Sequence, residues 1–277
     1  MHRIDILKTI KMIDFPDEVW EWIDLFGDII ATTQSEAIYQ NRSYIADTPY
    51  KKFLLCNINK DLSTLNTIYF ILRGELIHQA SSHVRLFCES LITMKYISLD
   101  PDKRAELFWG YSDIESYKIT QAILDFEKNK AKESYVQKAE NLIKTFQEKY
   151  DDVKQIYSYT DKKDRIRPFK NWCNKTIASQ ASECGPDFKR LYGLVYRQMS
   201  SYIHGSAWSL RRQLSYSRTH YDSNIVLIDI ATIVRTALVV WVDWAKFCFF
   251  ELGWRLHGAL SNLPKNINEL DEKHFPH

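Results

Sequence analysis

Between Asp61 and Leu99 the sequence contains no proline and one glycine, Gly74. Apolar residues recur there every three or four positions, which is the spacing that places side chains on one face of an α-helix. A stripe of this length predicts a single long helix, which Asp100-Pro101 ends while also beginning the next one. The stripe consists of Leu65, Ile68, Tyr69, Leu72, Leu76, Ala80, Val84, Phe87, Leu91 and Met94.

The composition favours helices of this kind along the whole chain. Only 8 glycines and 7 prolines occur in 277 residues, while aromatic residues make up 14%. No stretch alternates between apolar and polar residues for more than a few positions, and no internal repeat is present. We therefore predict an all-α protein, in which long antiparallel helices form a bundle and a single domain over 1–277.

Four parts can be distinguished within the predicted domain. Residues 1–50 carry the N-terminal helices, and 127–157 are rich in Lys and Glu with apolar residues at helical spacing, which predicts a charged helical arm. The polar segment 158–169 is predicted to be a long loop. The most apolar segment, 222–256, is predicted to be a core helix. Its charged residues argue against a membrane span: Asp229, Arg235, Asp243 and Lys246.

The overall charge is too small to predict a nucleic-acid partner. The formal net charge is +2, so binding to RNA would require a local patch of cations. A charge run of this kind is more often only a solvated surface loop. Two groups of cations could nevertheless guide an RNA backbone. They are Lys162, Lys163, Arg165 and Arg167 in the predicted loop, and Arg211 and Arg212 further along the chain.

The cysteines and the N-terminus indicate the cellular compartment. The five cysteines are scattered, and no CxxC pair or Cys/His pair has the spacing of a metal site. The first residues carry Asp5 and Asp14 among apolar side chains, which is unlike a signal peptide. We therefore expect a cytoplasmic protein that needs neither a metal ion nor a cofactor.

Arg197 and His204 are the main candidates for chemistry. They stand seven residues apart, and seven helical residues bring a side chain back to within roughly 20° of its starting direction. The two side chains would therefore share one face of a helix. A permanent cation beside a group that titrates near neutrality suits the handling of a phosphate. A histidine that only caps a helix or fills the core is the alternative.

A second polar group could support this pair. Arg85 and Glu89 lie one helical turn apart in an apolar setting, which fits either a structural ion pair or a functional role. Three further polar residues stand beside Arg197 along the chain and complete the candidate cluster: Tyr196, Ser200 and Ser201.

Taken in order, these residues resemble a family of uncharacterised bacterial all-helical proteins. The resemblance covers roughly residues 60–215. It is carried by Arg85-x3-Glu89, Asp100-Pro101, Trp172 and Tyr196-Arg197-x6-His204-Gly205. The Arg-x6-His element is also similar to the R-x4–6-H motif of the HEPN superfamily. That superfamily includes metal-independent ribonucleases of toxin–antitoxin, abortive-infection and CRISPR-associated systems. Gln198 follows the arginine here, where many members carry Asn, Asp or His.

The resemblance implies an activity and a mechanism. HEPN ribonucleases are typically homodimers whose Arg/His motifs meet across a helical interface. His204 would act as general acid or base at the ribose 2′-hydroxyl or the leaving 5′-oxygen. Arg197 would stabilise the charge that develops on the scissile phosphate. The implied function is that of a hydrolase acting as a toxin or effector in stress response or phage defence.

Two other functions remain open at this level. The first is a non-catalytic helical subunit that binds a partner protein from the same operon, in a defence or toxin–antitoxin complex. The charged arm and the apolar helix could present its surfaces. The second is a small-ligand binder built on an interior cluster of Arg85, Glu89, Arg197 and His204.

Overall fold

The computed structural model describes residues 16–41, 45–74, 76–127, 133–203, 210–211, 223–253 and 259–274. These ranges consist of α-helices and one short two-stranded hairpin, so the prediction of an all-α protein is confirmed. The helices are α1 (Asp17–Asn41), α2 (Pro49–Arg73), α3 (Ile77–Ser98), α4 (Pro101–Glu127), α5 (Glu133–Val153), α6 (Ile177–Glu183), α7 (Pro186–Leu191), α8 (Arg197–Ile203), α9 (Ser223–Leu252) and α10 (Ala259–His274). The strands are β1 (Ser158–Thr160) and β2 (Ile166–Pro168).

Of the predicted N-terminal helices, α1 lies within the described part of the chain, while residues 1–15 lie outside it.

The predicted single helix over 61–99 is wrong, because two helices, α2 and α3, occupy this region. α2 begins after Thr48, whose hydroxyl oxygen accepts a hydrogen bond from the Lys51 N–H at 3.2 Å. It ends at Gly74, whose N–H donates to the Phe70 carbonyl at 2.9 Å. The apolar stripe continues across the break, so the two helices pack their stripes against each other. Packing between helices therefore overrides the unbroken spacing.

The core of the bundle is formed by α1, α2, α3 and α9. The indole N–H of Trp241 on α9 donates to Thr33 Oγ1 on α1 at 3.1 Å. The indole N–H of Trp244, also on α9, donates to Asp61 Oδ2 on α2 at 3.0 Å. Burying a phenylalanine or leucine side chain contributes about 1.5–3 kcal/mol, so the large apolar side chains dominate the stability of this core. The largest of these fully buried side chains include Trp22, Trp241, Trp244, Phe26, Phe53 and Phe87.

The helix α9 is long and apolar enough, over Asn224–Leu252, to cross a membrane by length and composition alone. Within its most apolar stretch, however, 56% of the residues are buried inside the protein. It packs against α1 and α3, as a core helix of a bundle does. Its apolar character is therefore explained by packing within the described fold.

A helical run from α6 to α8 lies antiparallel to α3. Near its start the Cys184 thiol lies 3.8 Å from the Ile92 carbonyl, and further along Tyr196 contacts Arg85. Between α7 and α8 the chain forms a π-helical turn, Tyr192–Tyr196. The N–H of Arg197 donates to the Tyr192 carbonyl five residues earlier, which is the hydrogen bond that defines this turn.

The helices α4 and α5 form a helical hairpin. The predicted charged arm, residues 127–157, corresponds to the second of these helices, and α4 is the other helix of the arm. The rings of Tyr117 and Tyr150 stack at 4.4 Å between the two helices. At the base of the arm, the Tyr157 hydroxyl donates to the Leu107 carbonyl at 2.8 Å. The arm is joined to the bundle near the start of α4, where the rings of Phe53 and Phe108 meet edge to face at 4.8 Å and the Trp109 indole N–H donates to the Pro49 carbonyl at 3.0 Å.

The predicted loop over 158–169 is a short antiparallel β-hairpin, so the prediction of an irregular loop is wrong there. Asp161 organises its turn, since its carboxylate accepts from the N–H groups of Lys163 and Arg165 and pairs with the guanidinium groups of Arg165 and Arg167. The Arg165 guanidinium, the two N–H groups and Arg167 together lower the pKa of Asp161 to about 2. A charged Asp161 therefore holds the turn over the whole neutral range of pH.

Candidate functional site

Arg197 is the first residue of α8, directly after the π-helical turn. Its side chain is exposed, and its guanidinium forms no hydrogen bond or ion pair with the described residues. A guanidinium in this state can bind a phosphate without first giving up a protein partner. His204, Gly205 and Arg212 lie outside the described residues, so the shared face of Arg197 and His204 remains a prediction from the sequence.

Arg85 on α3 reaches the same turn from the neighbouring helix. One of its terminal nitrogens donates to the Tyr196 hydroxyl at 2.8 Å, and its guanidinium carbon lies 4.7 Å from the centre of the Tyr196 ring. Its Nε atom is buried and has no hydrogen-bond partner among the described residues. The structure therefore brings Arg85 and Tyr196 together, immediately before Arg197 in the chain.

Glu89 does not pair with Arg85 in the described part of the chain, so the structural ion pair considered from the sequence is absent there. The reason is geometric, since the guanidinium of Arg85 turns towards Tyr196 instead. Glu89 is half-buried beside Cys88. Burial raises the pKa of the Cys88 thiol to about 12, and the charges of Glu89 and Asp243 act in the same direction. Cys88 is therefore a neutral thiol at physiological pH and a poor nucleophile.

The two serines of the candidate cluster turn back onto their own helix. Ser200 Oγ donates to the Tyr196 carbonyl at 2.6 Å, and Ser201 Oγ donates to the Gln198 carbonyl at 2.6 Å. Both hydroxyl protons are thus used by the backbone, which is common for serine within a helix. Both serines lie near Arg197 on α8, but their hydroxyl protons already form hydrogen bonds to backbone carbonyls.

The candidate RNA-backbone cations are exposed but lie in different parts of the fold. Lys162 and Lys163 extend from the hairpin turn, while Arg165 and Arg167 there are paired with Asp161. Arg211 is exposed as well. Two further exposed cations precede the π-helical turn on α7, namely Lys189 and Arg190.

A buried polar contact lies just before His204 in the chain. The hydroxyl of Tyr202 donates to Asp229 Oδ1 on α9 at 3.2 Å, and both residues are buried. The ring of His78 on α3 lies 5.8 Å from the Tyr202 ring. The end of α8 is thus anchored to α3 and α9 by residues that sequence reasoning did not select.

The variant Tyr202→Phe is expected to lower the free energy of unfolding by about 1–3 kcal/mol, because a buried carboxylate loses a donor. Urea unfolding followed by circular dichroism measures this difference. Tyr159→Phe, a change on the exposed hairpin, is the control and should stay within about 0.5 kcal/mol of wild type. Equal unfolding free energies for Tyr202→Phe and wild type would contradict a stabilising role for this contact.

A groove of about 760 Å³ is lined by the α7–α8 run, by α9 and by Lys95 on α3. Its rim includes three apolar residues that are more than half exposed, namely Leu194, Val239 and Phe250. Charges of both signs line it, including Lys95, Asp187, Arg190, Asp243 and Lys246. The groove has the size of a ligand pocket, but its apolar rim also suits a protein partner.

Among the described residues, no group of three or more His, Cys, Asp or Glu side chains is arranged to hold a metal ion. The expectation of a protein without a metal or cofactor therefore stays a prediction from the sequence.

The described fold defines an all-α bundle protein with a helical arm and a partly exposed cluster of Arg85, Tyr196 and Arg197, where α3 contacts the π-helical turn before α8. The chain belongs to a family of unknown function (DUF5677), which matches residues 51–221, more than half of its 277 residues. The match extends from α2 through the arm and the Arg197 segment, while α1, α9 and α10 lie outside it. No curated protein and no solved structure matches the chain.

Proposed function

We propose that the chain is a HEPN-like, metal-independent endoribonuclease that acts in the cytoplasm as a homodimeric toxin or effector, in bacterial stress response or phage defence. One observation carries the proposal: the guanidinium of Arg197 is exposed and unpaired among the described residues, seven positions before His204 in the family-matched segment. A cation that is free to contact a phosphate is the first requirement for cleaving RNA without a metal ion.

The two residues have distinct roles in this proposal. Arg197 holds the scissile phosphate and offsets the charge that builds up on its oxygens in the transition state. His204 takes the proton of the ribose 2′-hydroxyl or gives one to the departing 5′-oxygen. The attack of the 2′-oxygen on phosphorus breaks the bond to the 5′-oxygen and leaves a 2′,3′-cyclic phosphate.

Cleavage by an Arg197→Ala variant tests the proposal. We expect wild type to cleave single-stranded RNA in the presence of EDTA and to leave DNA of the same sequence intact, since DNA lacks the 2′-hydroxyl. The Arg197→Ala variant should cleave about 10²-fold more slowly, as on loss of one group that stabilises the transition state. Lys103→Ala removes an exposed cation from α4, outside the α7–α8 run, and is the matched control. RNA that stays intact with wild type, or that all three proteins cleave equally, contradicts the proposal.

A non-catalytic interaction subunit is the second candidate, favoured by the apolar rim of the groove. Phe250 is 80% exposed there, although a side chain of this size is usually buried. In this case the groove would bind a helical segment of a partner protein from the same operon. The cleavage experiment separates the two functions, because an interaction subunit leaves the RNA intact.

A further inference from the structure

The π-helical turn aligns two tyrosine rings. Tyr192 and Tyr196 stack with 4.9 Å between their ring centres and 21° between their planes. A π-helical turn inside a longer helix is rare and occurs frequently at functional sites. Here the turn ends at Tyr196, next to the exposed Arg197, so the stacked pair lies directly beside the proposed phosphate contact.

Arg85 holds this pair in place from the facing helix. Its hydrogen bond to the Tyr196 hydroxyl and its position 4.7 Å from the ring centre fix Tyr196 at two points. A cation over the face of a tyrosine is attracted by the ring, and a partly buried cation more strongly. The Tyr196 ring is thus held by Arg85 and stacked against Tyr192, so it cannot turn freely.

The π-helical turn that carries the tyrosines lies at the protein surface. Gly193 and Leu194 within it are exposed, and an added Cβ atom at Gly193 would meet nothing within 4 Å. Both tyrosines are half-buried, and the nearby cations Lys189, Arg190 and Arg197 are exposed. Aromatic rings next to cations form the surface on which single-stranded nucleic acids stack their bases while their phosphates are neutralised.

We propose that Tyr192 and Tyr196 form a stacking site for an unpaired base of single-stranded RNA, with Arg197 contacting the adjacent phosphate and Arg85 positioning Tyr196. This inference rests on the proposed ribonuclease function and names its substrate class as unpaired RNA. Paired RNA is excluded because its bases stack on one another and do not offer a free face to the tyrosines.

Binding of an uncleavable probe tests the stacking site. The probe is a short fluorescein-labelled 2′-O-methyl oligoribonucleotide, which has no free 2′-hydroxyl and binds without being cut. Tyr192→Leu is expected to weaken binding about tenfold, while Tyr192→Phe keeps the ring and the affinity. Tyr150→Leu, in the stacked tyrosine pair of the arm, is the matched control and should bind as wild type does. Equal affinities for wild type and Tyr192→Leu would overturn the proposal.

The positioning role of Arg85 is tested by a binding measurement whose result a loss of stability alone does not change. Arg85→Gln should weaken binding of the single-stranded probe in the wild-type background but add little in the Tyr196→Leu background, and Arg85→Lys should restore part of the loss because a lysine can still donate to the Tyr196 hydroxyl. Equal losses in both backgrounds would contradict a positioning role.

A measurement on the wild-type protein covers the case in which a variant does not fold. When it is irradiated, a 2′-O-methyl oligoribonucleotide carrying 5-iodouridine forms an adduct with an aromatic side chain on which its iodinated base stacks. Peptide mapping by mass spectrometry should find the adduct at Tyr192 or Tyr196. Adducts at other residues alone would count against the stacking site.

The two proposals fail in different ways. Intact RNA together with binding that depends on Tyr192 contradicts the nuclease and supports the stacking site. Cleavage by wild type together with unchanged binding by Tyr192→Leu contradicts the stacking site alone.

Discussion

Single-turnover cleavage of RNA by the His204→Ala variant is expected to be about 10²–10⁴-fold slower than cleavage by wild type, which is the usual contribution of a positioned general acid or base. The expected loss is large because alanine can neither take up the 2′-hydroxyl proton nor supply one to the leaving oxygen. Rates measured with enzyme in excess over a labelled oligonucleotide isolate the cleavage step from product release.

His83→Ala is the control for this experiment. His83 lies on α3 and forms no hydrogen bond with the described residues, so its loss removes an imidazole without breaking a hydrogen bond there. We expect its rate to equal that of wild type. If His204→Ala and His83→Ala both cleave at the wild-type rate, His204 does not take part in proton transfer.

The second large effect is expected for Asp61, whose replacement should change how the free energy of unfolding depends on pH. Asp61 is fully buried between α2, α3 and α9, and its Oδ1 atom has no hydrogen-bond partner among the described residues. Burial raises the pKa of this carboxyl group from 3.8 to about 7, although the nearby Ser90 side chain, the charge of Lys60 and the hydrogen bond from Trp244 act in the opposite direction. Each pKa unit corresponds to ~1.4 kcal/mol, so the shift corresponds to ~4 kcal/mol.

The sign of this effect follows from which state binds the proton more tightly. Between pH 4 and pH 7 the folded protein keeps the Asp61 proton, while the unfolded chain has lost it. The contribution of Asp61 to stability therefore falls as pH rises through this window and stays constant above it. Asp61→Asn cannot ionise, so the variant should gain up to ~4 kcal/mol relative to wild type between pH 4 and pH 8.

Urea unfolding of wild type and variant at a series of pH values measures this difference. Subtracting the two curves removes the contributions of other carboxylates, such as Asp161, whose lowered pKa acts only at more acidic pH. Asp125→Asn, at an exposed carboxyl group on the arm, is the control for the replacement of an aspartate by asparagine. A constant difference for Asp61→Asn over the same range would show that Asp61 is ionised in the folded protein at all these pH values.

The sequence was sufficient to predict helices but not all of their ends. Asp100-Pro101 begins α4 as predicted, because a proline at the first helical position is a local signal. The end of α2 at Gly74 was missed because the apolar stripe runs through it, although the one glycine of that stretch is a local signal for a helix end. The hairpin around Asp161 was missed too, since its ion pairs involve side chains that have no strand pattern.

In the candidate site, too, most of the residues could be selected from the sequence but their contacts could not be predicted. Arg85 and Tyr196 could both be selected from the sequence, but their contact joins residues 111 positions apart and could not be predicted from spacing. Tyr192 was missed, although its position four residues before Tyr196 is a signal for stacking on a helix. The burial of Asp61 depends on three helices at once, so no local pattern around it predicts its raised pKa.

The chemical ends of the RNA products test the central claim most directly. Wild-type protein is incubated with a defined oligoribonucleotide in EDTA, and the fragments are analysed by mass spectrometry. We expect 2′,3′-cyclic phosphate and 5′-hydroxyl ends, because the 2′-oxygen attacks the phosphorus while Arg197 and His204 assist, and about 10²–10⁴-fold less of these fragments from His204→Ala after the same time. Intact RNA, 3′-hydroxyl and 5′-phosphate ends, or equal amounts of the fragments from His204→Ala would contradict this mechanism.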